Sequence, residues 1–184
     1  MVKKKLRKKK CLKKKNNFSF SFLFFLFLFF FKKKRGNEKT MNLPEVILRA
    51  ILRSQYYQLC RETLHDYDDC VKEIQSKVEF LEPFIGSSKN PSSAFVLLYR
   101  LFALRLSSRQ LHAMLRSKQS PFSKGIALLY VRCAVHPEAQ WAFYEEVIED
   151  DTELVVHDKR PPQRVASICK DLILGQRFCN VIFF

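Results

Sequence analysis

The 184-residue chain is formally +15 at pH 7, but residues 1–40 hold fifteen Lys and Arg against Glu38, so they carry +14 of it and residues 41–184 keep +1. That split excludes strong basicity as a property of the domain behind the leader. Six cysteines without a CxxC pair and four histidines without HxxxH spacing exclude the usual disulfide and zinc frameworks.

In the leader, Lys-rich blocks bracket the apolar run Phe18–Phe31. As a helix its fourteen residues reach about 21 Å, short of the ~30 Å hydrocarbon core. KKKRGNEKT follows where a signal peptide would place small residues, which argues against secretion. Residues 1–40 therefore read as a low-complexity basic, Phe-rich leader outside the fold, with Met41 as a candidate initiator. An anchor built on Phe18–Phe31, or a nuclear address in KKKLRKKK, are the competing readings.

Residues 41–184 have the length of one domain that buries its own core. Asn42 and Pro44 precede a helix through Val46, Ile47, Ala50 and Ile51, which Ser54 interrupts before Tyr56 and Tyr57. In Leu64–Leu81 the steps Tyr67, Val71, Ile74, Val78, Leu81 predict an amphipathic helix. Glu82–Ser92, with Pro83, Gly86 and Pro91, reads as a loop. Ser92 or Ser93 then caps Ala94–Leu106, apolar on nearly every side and so central.

Ser107 with Gln110 matches a capping box ahead of Leu111, Met114 and Leu115. Ser120-Pro121 starts a helix through Ile126, Leu129 and Val135, and His136-Pro137 opens another through Trp141, Phe143, Tyr144 and Ile148 that ends in Glu149–Asp151. Glu153–Val156 reads as extended, His157–Pro162 as a loop turning back a small ribbon, and Val165–Leu174 as a last helix stopped by Gly175. The fold class expected is all-α, a compact multi-helix single domain with one short β-ribbon near 153–165.

Chemistry is sparse. Cys60 with His65 and Cys133 with His136 are the nearest thiol–imidazole pairs, and neither sits in a catalytic motif. Gly86, Gly125 and Gly175 lie too far apart to form a phosphate loop. The basic stretch from Arg100 to Arg132 has its aromatics at helical spacing, as a core requires, so RNA contact is expected to be indirect or weak. Catalytic residues, cofactors and metals are all expected to be none.

Phe95, Leu98, Leu101, Phe102 and Trp141 are the candidate core. Arg100 and Arg132 are cations in otherwise apolar helices and must reach an acid or the surface. Glu149, Asp150 and Asp151 are the candidates inside the fold, and a partner protein is the candidate outside it. Contiguous acids at a helix end oppose the helix dipole, which hints at a basic partner.

SSAFVLLYRLFALRLSSRQL (Ser92–Leu111), SPFSKGIALLYVR (Ser120–Arg132) and a Trp141-bearing helix ending EDDTEL (Glu149–Leu154) closely resemble the pre-mRNA-splicing factor 38 family, B-type branch. NLPEVILRAILRSQYY (Asn42–Tyr57) and KVEFLEPF (Lys77–Phe84) extend the resemblance over residues 41–184. It implies an α-helical fold and a nuclear, non-enzymatic scaffold that associates with the U4/U6.U5 tri-snRNP, serves spliceosome activation, and has other spliceosomal proteins as partners. A membrane-associated helical protein anchored by Phe18–Phe31 is the alternative. The sequence departs from the family at SSKNP (Ser87–Pro91), where a Gly-rich stretch is common, at NVIFF (Asn180–Phe184), and in having no Arg/Ser-rich tail.

Overall fold

Serine, aspartate and proline set most of the helix starts. The computed structural model describes residue 37, residues 39–175, residues 177–179 and residues 181–182. The Phe18–Phe31 run, and with it the anchor reading, lies outside them. Among the described residues no helix is long and apolar enough to cross a membrane.

Helix α1 (Glu45–Arg53) follows Pro44, and Ser54 both ends it and caps α2 (Gln55–Thr63) by accepting from Tyr57 N at 3.4 Å. The interruption expected at Ser54 is thus a junction of two helices. Asp66 opens α3 (Tyr67–Lys77), taking the amide of Asp69 at 2.9 Å. The sequence pattern carries α3 on to Leu81, but the helix stops at Lys77. Leu81 N instead donates to Val156 O at 3.1 Å, a partner from far along the chain that no local pattern reveals.

Ser92 is the cap of α4 (Ser93–Ala103), with Phe95 N donating to its hydroxyl at 3.3 Å. The capping box of α5 (Ser108–Leu115) is complete: Gln110 N donates to Ser107 Oγ, and Ser107 N to Gln110 Oε1. Ser120 caps α6 (Pro121–Ala134), and α7 (Pro137–Tyr144) opens on Pro137. α7 is shorter than expected. Turns carry the chain from Glu145 to Asp150, so Glu149–Asp151 stand beyond the helix and not on its last turn.

β1 (Glu153–Leu154) and β2 (Gln163–Arg164) pair antiparallel, Glu153 opposite Arg164 and Leu154 opposite Gln163, where the small ribbon was expected. α8 (Val165–Leu174) follows and ends at Gly175. A second pair, β3 (Arg177–Phe178) with β4 (Val181–Ile182), went unread in the sequence.

The core runs through α4 and α6, which pack on each other. α1, α2 and α3 cover α4, while α5, α7, α8 and β1 cover α6. Phe95, Leu98, Leu101 and Phe102 are buried, and α6 is buried continuously from Ser123 to Val131. Close approach to α6 needs Gly125: a methyl there would meet Leu81 Cδ1 at 2.5 Å and Leu154 Cδ2 at 3.3 Å. The C-terminal carbonyls of α6 are answered by side chains, Cys133 O by Asn42 Nδ2 at 2.9 Å and Val135 O by Gln140 Nε2 at 2.9 Å.

Candidate functional site

Arg100, one of the two arginines singled out in the sequence, turns to a backbone carbonyl and not to the acidic turn. Arg100, on α4, directs Nε and Nη2 at Leu64 O, at 3.1 and 2.5 Å. Leu64 is the residue that ends α2, so the guanidinium sits at a helix C-terminus, where a cation is favourable. Expected pairing of Arg100 with Glu149–Asp151 is therefore corrected: its role is to hold α2 against α4. Arg132 is half-buried near the end of α6, and its backbone carbonyl accepts from Gln140 Nε2 at 3.3 Å.

The cation that reaches the acidic turn is Lys124, only 8% exposed on the first turns of α6. Its Nζ lies 2.6 Å from Asp150 Oδ2 and 2.9 Å from Thr152 Oγ1. Asp150 Oδ1 also accepts from Thr152 N at 2.9 Å, and its backbone carbonyl accepts from Ala166 N at 2.9 Å. Burial works to raise the Asp150 carboxyl's pKa, but the hydrogen bonds from Lys124 and Thr152 outweigh it and leave the pKa below the usual value. One acid thus ties α6, the turn after α7 and the start of α8. Lys124 carries a signal in the sequence, since like Arg100 and Arg132 it is a cation within an otherwise apolar helix.

Beside this hub, Arg116, which ends α5, makes a two-pronged contact with Glu146, Nε to Oε2 at 3.0 Å and Nη2 to Oε1 at 2.9 Å. His112 Nδ1 lies 2.7 Å from the same carboxylate while its ring stacks on Phe143 at 4.6 Å. Asp151 meets Arg164 at 3.4 Å on the surface, and Glu149 is exposed.

Trp141 needs a correction. It is 54% exposed and not in the core. Ala139, Phe143 and Tyr144 are the buried positions of α7, and at ~100° per residue Trp141 falls roughly opposite Ala139.

Among the described residues the buried thiols offer no ready nucleophile. Burial pushes Cys70 and Cys133 up to about 12 and Cys169 up to about 11, and also raises Cys60, so neither thiol of the Cys60–His65 and Cys133–His136 pairs is ionised at neutral pH. Among the described residues no three His, Cys, Asp or Glu side chains gather as a metal site would require.

The described residues thus define a mainly α-helical domain, and a solved chain has the same fold. It belongs to the Snu23–Prp38–MFAP1(217–258) complex of Chaetomium thermophilum, with TM-score 0.71 over 82% of this chain and 80% of that one at 18% identity. The PRP38 family model matches residues 32–184, and the chain belongs to that family. The match begins ahead of Met41, inside the segment read as leader. Similar proteins include the pre-mRNA splicing factor SR-like 1 of Arabidopsis thaliana, 30% identical over 77% of this chain, and the human and rat pre-mRNA-splicing factors 38B, each 32% identical over 66% of it. The chain spans 36% of the plant relative and 26% of the mammalian ones.

Proposed function

We propose that this chain is a nuclear, non-enzymatic pre-mRNA splicing factor, a scaffold that holds spliceosomal proteins around the tri-snRNP during spliceosome activation. The observation that carries the reading is the PRP38 family match, which runs through every described helix. Relatives named as splicing factors support it, as does the likeness in fold to a chain from a complex of splicing proteins. The side-chain chemistry is consistent with it: polar contacts at Arg100, Lys124 and Arg116 hold neighbouring elements of the fold together.

Affinity purification of the tagged full chain from nuclear extract tests the proposal. Recovery of tri-snRNP proteins is the expected result, and recovery of no splicing component would overturn it. Fractionation gives the matching readout, with the chain in the nuclear fraction; concentration in the membrane pellet would favour the anchored alternative.

A further inference from the structure

Glu138, Trp141 and Glu145 follow one another along α7 and its cap at spacings of three and four, so they form one exposed stripe. The indole is the chain's single tryptophan, and more than half of it meets solvent. An exposed aromatic of this size is a common anchor of protein interfaces.

The sequence that follows Arg132 is one-sided in charge. From Cys133 to Asp158 the chain has eight acids and no Lys or Arg. Arg116, Lys124 and Arg164 reach in to meet Glu146, Asp150 and Asp151. Glu138 has only His136 Nδ1, at 3.8 Å, and no salt bridge is formed by Glu145 or Glu149 among the described residues. An indole face beside unneutralised carboxylates attracts a guanidinium, which stacks on the ring while the acids take its N–H groups. The same acids repel phosphate, which disfavours a nucleic acid as the occupant.

We propose that this face of α7 is a docking surface for an arginine-bearing segment of a partner protein, with the guanidinium over Trp141 and with Glu138 and Glu145 flanking it. The proposal rests on the scaffold reading and names one of its surfaces. Trp141 emission reports on the face directly. Titration of the full chain with a synthetic arginine-rich peptide is expected to change that emission saturably, with affinity falling as salt rises. Glu138→Gln with Glu145→Gln should weaken binding roughly five- to tenfold, by the usual worth of exposed charge contacts. No saturable change with that peptide, an equal response in the double variant, or a tighter response to an RNA oligonucleotide would each overturn the proposal.

A second arm separates it from the scaffold reading. In nuclear extract, Trp141→Ala should lose a subset of the splicing proteins recovered by the unaltered chain. If both chains recover the same set, the surface is wrong and the scaffold stands; if the unaltered chain recovers none, the scaffold fails whatever the peptide does.

Discussion

Asp150 shows how much one side chain governs here. Its carboxylate meets a nearly buried ammonium, the Thr152 amide and the Thr152 hydroxyl, so its removal strands Lys124 in a site with little water. Breaking such a pair from one side costs about 3–5 kcal/mol, whereas replacing both charges with packed apolar groups is often nearly neutral. Asp150→Ala should therefore lower the urea midpoint markedly, and adding Lys124→Met should recover part of the loss. The pH dependence has a definite sign. A carboxyl whose folded pKa lies below its unfolded value of about 3.9 contributes its full stability above that value and loses it as pH falls through the folded value. Asp150→Ala should accordingly flatten the acid limb of the stability curve below about pH 4; an unchanged acid limb would remove Asp150 as its source.

At the level of elements, the helix starts were legible because their chemistry is local. Ser92, Ser107 with Gln110, Ser120 with Pro121, and Pro137 each satisfy or remove amides within one turn, and each opens a helix. Endings and pairings were not legible, because distant residues decide them. α3 stops short because Leu81 bonds to Val156, and Arg100 was given an acid because nothing in the sequence sets it beside Leu64 O. Trp141, expected in the core, faces out because Ala139, Phe143 and Tyr144 already supply the buried side of α7. Gly125 is a similar case, since its need comes from Leu81 and Leu154 across the core. Gly125→Ala gains up to about 1 kcal/mol of helix propensity, yet the methyl must displace a fully buried Leu81. Overpacking of this kind costs about 1–3 kcal/mol, so the variant should be destabilised in urea titration. Leu81→Val added to Gly125→Ala should cost less than the two changes made separately, the non-additivity expected of touching groups.

For the whole molecule the open boundary is where the domain starts. Charge and resemblance both pointed to Met41, but the family match begins at residue 32 and the structure shows residues before Met41 bonded into the fold. Met41 N donates to Asn37 O at 2.9 Å, Leu43 N to Thr40 O at 3.0 Å, and the Tyr99 hydroxyl to Lys39 O at 3.1 Å. These bonds support an unusual backbone, since Met41 and Asn42 are consecutive residues with φ of 53° and 54°. Asparagine tolerates that region, whereas for methionine it costs roughly 1–2 kcal/mol. The strain is held because Met41 is fully buried and Asn42 is tied at both ends, accepting from Asn37 N and donating to Cys133 O. A chain begun at Met41 would keep the buried side chain and lose the turn that fixes it, whereas one begun at Asn37 keeps both. The first should unfold about 1–3 kcal/mol more easily than the second, since it gives up several bonds worth about 1 kcal/mol each. Equal urea midpoints for the two would mean that Met41 suffices as the start of the domain; a gap between them makes Asn37, Lys39 and Thr40 part of the fold.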